Sequence, residues 1–462
     1  MRLAVLLCLA ACGRIDFDET LPGSDGGSGD GSMVTPTGPK GPRWIKKFGA
    51  GSKSQAAGVR GEVAVVGSFN NGSFAADDNV ALVGQGFIST AFVRYSATGD
   101  VMQTAVFDAT GFCDMRGITL DGDDVVVAGY TAGTASMPAL GACSMVTNRQ
   151  DPVVLRLAPD GTQSLVGHWV AGTANAQAWN VGRLADGSFV LSGIYGGTLA
   201  MGAGVPMASI DPSGWVGRTS PSSATGGVTW AEGLRGETEV HGGPISTAGA
   251  VTCTMGAFSG TVTILGAQLQ SVGGYDAWVA RVDETGAAQY VRGIGSVAGE
   301  SYFDSGSIAA RDDSCTIGVV APADVTLDAV TYPMSDGAGI LVQYRNDGSV
   351  KWARRLPAEP FAAYVGDRLF VAVEVTGTLS IGGTPYTAQG KDAVVLELDD
   401  TGAIIGMAGV VGGAGDQAPS ELVAIGPDAL AITVTTRGVL SFGDTSFDTV
   451  TTTARAVASL GI

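Results

Sequence analysis

A unit of about sixty residues recurs along this chain, and that period restricts the fold more than any other feature of the sequence. Each unit opens with an apolar strand, a Gly-bearing turn and a second short β segment. Examples are VAVVGSFNNGSF from Val63, VVVAGYTAGTAS from Val125, FVLSGIYGGTLA from Phe189 and LAITVTTRGVLS from Leu430. The turn glycines Gly72, Gly133, Gly197, Gly260, Gly377 and Gly438 are spaced by 61, 64, 63, 117 and 61 residues. The step of 117 covers two units, with Ala323 in the intervening place. A second motif follows, alternating apolars that end in Thr-Gly or Asp-Gly, as in DAWVARVDETG from Asp276 and DAVVLELDDTG from Asp392. A third strand then centres on Val106, Trp169, Trp230, Val291, Trp352 and Met407.

Each unit therefore supplies about four short antiparallel strands. One four-stranded sheet cannot bury both of its faces, whereas radial packing of such sheets hides them and leaves only short edges. The expected fold is all-β, a seven-bladed β-propeller of four-stranded antiparallel blades. Arg43-Trp44-Ile45-Lys46-Lys47-Phe48 matches the last strand of a unit, while Ala454 to Ile462 matches the strand before it. The N-terminal strand is thus expected to complete the seventh blade and close the ring.

Gly contributes 71 of 462 residues without a three-residue period, which excludes collagen, and an apolar share of 45% allows a sizeable core. The 26 basic against 44 acidic residues give a net charge of −18, which disfavours nucleic acid as a partner.

The amino terminus reads as an export signal. Met1-Arg2 is a positive leader, and Leu3 to Ala11 would span only about 14 Å as a helix, too short for a membrane anchor. Leu9-Ala10-Ala11-Cys12-Gly13 resembles the bacterial lipobox, which implies lipidation of Cys12. By resemblance to enterobacterial lipoproteins, Gly13 after the Cys implies the outer membrane or cell surface. The Gly/Ser/Asp stretch from Gly23, followed by a Pro/Thr/Gly stretch to Pro42, has no residues for a core. The expected division is a signal peptide at 1–11, a lipidated flexible linker at 12–43 and the propeller at 44–462.

The units resemble the Gly-rich β-propeller repeats of predicted myxobacterial surface lipoproteins. Thr376-Gly-Thr-Leu-Ser-Ile-Gly-Gly followed by Gly390-Lys-Asp-Ala-Val-Val-Leu-Glu-Leu-Asp-Asp-Thr-Gly402 carries that resemblance. It covers most of the chain and implies an architecture, with no catalytic motif.

Once Cys8 leaves with the signal and Cys12 takes lipid, Cys113, Cys143, Cys253 and Cys315 remain. Exported chains favour disulfides, and Cys113 with Cys143 would staple a loop within one blade. Cys253 and Cys315 occupy equivalent places in adjacent blades, so a sheet spacing of about 10 Å would hold them too far apart to bridge.

For chemistry there are two histidines, His168 and His241, with no GxSxG motif, no CxxC and no phosphate-cradling glycine loop. The pairs Asp77-Asp78, Asp123-Asp124, Asp312-Asp313 and Asp399-Asp400 fall at turns, where Asp bonds the local backbone. Trp44, Trp169, Trp230 and Trp352 recur with the unit, as packing between blades requires. No catalytic residue, cofactor or metal site is expected.

The leading expectation is a non-enzymatic, monomeric binding or scaffold protein of the cell envelope, held by its lipid in the membrane. It would take a protein or glycan ligand at a propeller rim, through loops at Asn70 to Thr90 and Thr131 to Asp151. The rivals are an extracellular polysaccharide- or peptide-processing enzyme, which needs carboxylates or His converging on the central channel, and an outer-membrane assembly scaffold.

Overall fold

The computed structural model describes residues 41–462 apart from 49–53, 77–79, 134–148, 170, 172–174, 202–206, 221–226, 237, 298–306, 335–337 and 444. Cys12, the signal segment and residues 12–40 of the linker lie outside the described residues. The described chain is all-β, as the alternating apolar runs predict: it forms strands and no helix.

Strand β1 is Gly41–Phe48. The first four-stranded antiparallel unit is β2 (Ser54–Val59), β3 (Glu62–Ala75), β4 (Ala81–Tyr95) and β5 (Val101–Phe107). The next is β6 (Phe112–Asp121), β7 (Asp124–Ala132), β8 (Asp151–Leu157) and β9 (Gln163–His168). It is followed by β10 (Ala176–Arg183), β11 (Phe189–Leu199), β12 (Met207–Thr219) and β13 (Val228–Gly233). After the short β14 (Arg235–Gly236) come β15 (Ile245–Ala248) and β16 (Val251–Phe258). A small hairpin, β17 (Thr261–Ile264) and β18 (Ala267–Gln270), precedes β19 (Asp276–Val282) and β20 (Ala288–Ile294). β15, β16, β19 and β20 pair in that order.

The pattern repeats in β21 (Ser307–Arg311) and β22 (Ser314–Val320), then the hairpin β23 (Val325–Leu327) and β24 (Val330–Tyr332), then β25 (Gly339–Arg345) and β26 (Val350–Leu356). β27 (Pro360–Val365), β28 (Arg368–Ile381), β29 (Thr384–Leu398) and β30 (Ile404–Val411) form the next unit. The last contains β31 (Asp416–Gly426), β32 (Ala429–Phe442) and β33 (Thr445–Gly461), and its fourth strand is β1. The expected pairing of the first strand with the last is therefore present, with Ile45 opposite Ala458 and Lys46 opposite Val457.

The repeat glycines have a common task. Gly377 and Gly438 take φ of +79° and +94°, and the ladder slips register beside each, so the long hairpin bends away from its sheet. The segment Asn70 to Thr90, expected as a loop, is instead largely this bent hairpin: β3 and β4 stay paired from Val63–Tyr95 out to Ala75–Ala81. Its alternating side chains explain why, since Phe74 is buried while Val83 stays exposed. Of the second expected loop, residues 134–148 lie outside the described residues.

Apolar cores lie between consecutive units. Val126, Ala128 and Val154 pack with Leu191, Tyr195 and Trp215, and Cys253, Met255 and Val279 with Ile317, Ile340 and Val342. One such core joins the last unit to the first: Trp44, Ile425 and Val457 pack with Val63, Val65 and Val93. The leading strands of the units are also neighbours in turn: β2 beside β6, β6 beside β10, then β15, β21, β27 and β31, and β31 beside β2. Their approach is close. A Cβ on Gly117 of β6 would stand 2.7 Å from the Cα of Asn180 on β10, so only glycine fits there.

One expectation is corrected. Cys253 and Cys315 form a disulfide, with their Cα atoms 5.9 Å apart. The 10 Å spacing belongs to stacked sheets with full-sized side chains between them. Here two small residues face one another near the converging leading strands, and the sheets approach within bridging distance. Cys113 is a buried free thiol, raised well above the usual thiol range by burial and by Asp114 and Asp108. Its expected partner Cys143 lies outside the described residues.

Candidate functional site

The leading strands enclose a cavity of about 760 Å³, with walls from β2, β6, β10, β15, β21, β27 and β31. β2, β10, β15, β21 and β27 are edge strands of their sheets, and β6 and β31 meet the preceding unit only at single bridges, Phe112 with Ile88 and Asp416 with Lys391, so these strands turn backbone N–H and C=O groups toward the space they surround. The lining is not the inert Gly, Val and Ala surface that would exclude chemistry. It includes Arg116, Arg183, Arg455, His241, Glu359 and Glu421.

Three side chains from three consecutive units stand side by side on one wall. Arg116 is on β6, Trp179 on β10, and His241 in the connection that leads to β15. The Arg116 guanidinium lies 5.3 Å from the Trp179 ring centroid, and the His241 ring meets Trp179 edge-on at 5.5 Å. Each is held from behind. Arg116 Nε donates to Asp114 Oδ2 at 2.7 Å, and Asp114 also accepts from Ser68 Oγ and, at 3.0 Å, from Tyr130 Oη. Trp179 Nε1 donates to Gln177 Oε1, whose amide in turn donates to Gln150. His241 Nε2 is 2.6 Å from Glu239 Oε1, and the Tyr275 hydroxyl donates to the other oxygen of Glu239. That hydrogen bond, with burial, pushes the Tyr275 phenol up to about 12; burial and the Asp114 charge raise Tyr130 as well.

A second feature lies where the last unit meets the first. Glu421 on β31 accepts a hydrogen bond from the Ala56 amide of β2. Burial pushes its carboxyl up to about 8, against the opposing pull of that amide and of the Arg455 charge. Arg455 itself is lowered by the same burial.

Of the residues weighed in the sequence, His241 lines the cavity and His168 does not. His168 is on β9, 3.8 Å from Asp151, so the two histidines are not brought together. Asp399 accepts from the Thr401 and Ala403 amides of its own turn, as expected of a turn former. Asp313 accepts from Ser314 Oγ next to it, while the Asp312 carbonyl receives Arg281 of the preceding unit. Asp77 and Asp78 lie outside the described residues. Arg116, Trp179, Glu239, Glu421 and Arg455 were not singled out in the sequence. The available signal was spacing: Arg116 and Trp179 stand 63 positions apart, one repeat, each in the strand that opens its unit.

No protein-family model matches the chain, and no curated protein does. Among solved structures, the β-propeller domain of the Trilobed protease from Pyrococcus furiosus is similar over 87% of this chain and 96% of its own, at 8% identity and a TM-score of 0.41. The WD40 domain of SCAP from fission yeast is similar over 92% and 93%, at 8% identity and a TM-score of 0.38. The acylaminoacyl peptidase of Pyrococcus horikoshii is similar over 72% of this chain at 10% identity and a TM-score of 0.38; the match spans 45% of that enzyme's length.

Proposed function

We propose that this chain is a seven-bladed β-propeller, lipid-anchored through Cys12 in the cell envelope, that binds a ligand in its central cavity without transforming it. The ring is supported by the apolar core shared between last and first units and by the return of β31 to β2. The binding role rests chiefly on one observation. The polar groups on the cavity wall are engaged by partners that fix their positions: Asp114 holds Arg116, and Glu239 is divided between His241 and Tyr275. Groups fixed in this way recognise a shape at little entropic cost.

A second reading, hydrolysis of a polysaccharide or peptide, draws on the His241–Glu239 pair at the cavity. One experiment separates the two. Envelope extracts are passed over the immobilised mature chain and over its Trp179→Ala variant, and the retained material is followed with time. Intact ligand held by the parent and lost by the variant supports binding. Appearance of cleaved product, abolished in His241→Gln, would overturn it in favour of the enzyme. The anchor is tested by metabolic labelling with a radioactive fatty acid, which Cys12→Ala should abolish.

A further inference from the structure

We propose that the cavity recognises a short saccharide bearing carboxylates, with Arg116 as the group that receives the carboxylate; this rests on the cavity-binding reading above.

Charge is the first argument. The chain as a whole carries 26 basic and 44 acidic residues. The cavity wall brings three guanidiniums together, Arg116, Arg183 and Arg455, with Glu359 and Glu421 beside them and with Asp114 and Asp121 paired to Arg116 and Arg183 from behind. An acidic protein thus gathers cationic groups at the one wall where an anion would be enclosed, with their carboxylate partners set back from it.

Geometry is the second. A guanidinium recognises a carboxylate by presenting two parallel N–H groups, so its plane has to be fixed. Arg116 is fixed three ways: its Nε is tied to Asp114, and its Cζ lies 5.3 Å from the Trp179 ring and 5.4 Å from that of Tyr130. A buried acid that only neutralised Arg116 would not need two aromatic rings about it.

The third argument separates a sugar acid from a simple carboxylate or an acidic peptide. The cavity is bounded by leading strands whose backbone donors and acceptors alternate along it, with the Ala56, Ala310 and Ala362 amides already taken by side chains of the neighbouring leading strand. Hydroxyl groups both donate and accept and can answer either kind. Gln55 and Asn180, joined by a 3.1 Å hydrogen bond across β2 and β10, add amides of the same dual character. The volume of about 760 Å³ lies in the range of small-ligand pockets and has room for more than one sugar ring.

The test is calorimetric titration of the mature chain with tri-galacturonate, a neutral galactose trisaccharide and triglutamate, each at low and moderate salt. Tri-galacturonate should bind, more weakly as salt rises, and the other two should bind about tenfold or more weakly. Arg116→Gln should lose about tenfold in affinity for tri-galacturonate with its melting temperature retained, and Arg116→Lys should recover part of the loss. Arg116→Lys also stands in should the Gln variant not fold. Equal binding of the neutral trisaccharide, preference for triglutamate, no binding of tri-galacturonate, or undiminished affinity in both variants would overturn the inference. The retention of envelope material by the parent and its loss in Trp179→Ala would stand through any of these, so the two failures are distinguishable.

Discussion

The indole of Trp44 lies on the backbone of Gly99, so closely that a Cβ there would stand 2.8 Å from the ring. Its Nε1 donates to Ala97 O of the same turn at 3.0 Å. The same relation recurs within the chain: Trp230 covers Gly286, Tyr290 covers Gly348 and Trp352 covers Gly402. In each case an aromatic on the outermost strand of one unit caps the last turn of the next. Trp44 makes this contact from β1, the strand that completes the last unit, onto a turn of the first.

Gly99→Ala should therefore be costly twice over, since φ is +86° and the methyl would enter the indole. Trp44→Ala removes a large buried ring and should cost about 3–5 kcal/mol. The urea midpoint of each variant measures the effect. A Trp44→Ala midpoint equal to that of the parent would show that the contact does not help to hold the last unit to the first.

The disulfide between Cys253 and Cys315 closes a loop of 62 residues. On the loop-entropy account, replacing both by Ala should remove about 4 kcal/mol. Mass spectrometry of alkylated peptides gives the direct check: both cysteines should resist labelling in denaturant until a reductant is added. Labelling before reduction would contradict the bridge.

Glu421 links stability to pH. Its carboxyl titrates near 8 in the folded protein against 4.5 when unfolded, so between those values the folded state holds a proton that the unfolded state has lost. Its contribution is whole below pH 4.5 and declines as pH rises through 8, by an amount on the order of 3–5 kcal/mol. Glu421→Gln should flatten that decline in denaturation curves taken at pH 5 and pH 8.5. A parent and variant with the same pH dependence would place the titrating group elsewhere.

Arg281 is almost fully buried and spans two units, donating to the carbonyls of Arg311, at 3.0 Å, and of Asp312. Arg281→Ala would leave both carbonyls without this donor and should destabilise by about 3–5 kcal/mol. Hydrogen exchange should quicken in the turn between β21 and β22 more than in distant units.

The strand plan was legible in the sequence because its signals are local and repeated: alternating apolars, turn glycines and Asp-bearing turns. Even the pairing of Trp44-Ile45 with Ala458-Ser459 could be read, since both segments match places within the unit. The cavity was less accessible. Its leading strands share no motif, and the partners that give them meaning are far away; Ala56 and Glu421 are 365 positions apart. The Cys253–Cys315 distance was misjudged for a related reason. An average sheet spacing says nothing of how two sheets converge at one place; Gly117, where β6 meets β10, shows elsewhere how closely neighbouring strands can approach.

Because β1 finds its place only against β33, the strand made early has no partner until residues more than four hundred positions later have emerged. Every other unit can assemble from neighbouring sequence, but this one must wait, at a loop-closure cost that grows only slowly with the intervening length. During synthesis the first strand is thus an unpaired edge, exposed to any other edge nearby. The molecule's vulnerable interval is the time between its first strand and its last, and a chain truncated before Thr445 should never leave it.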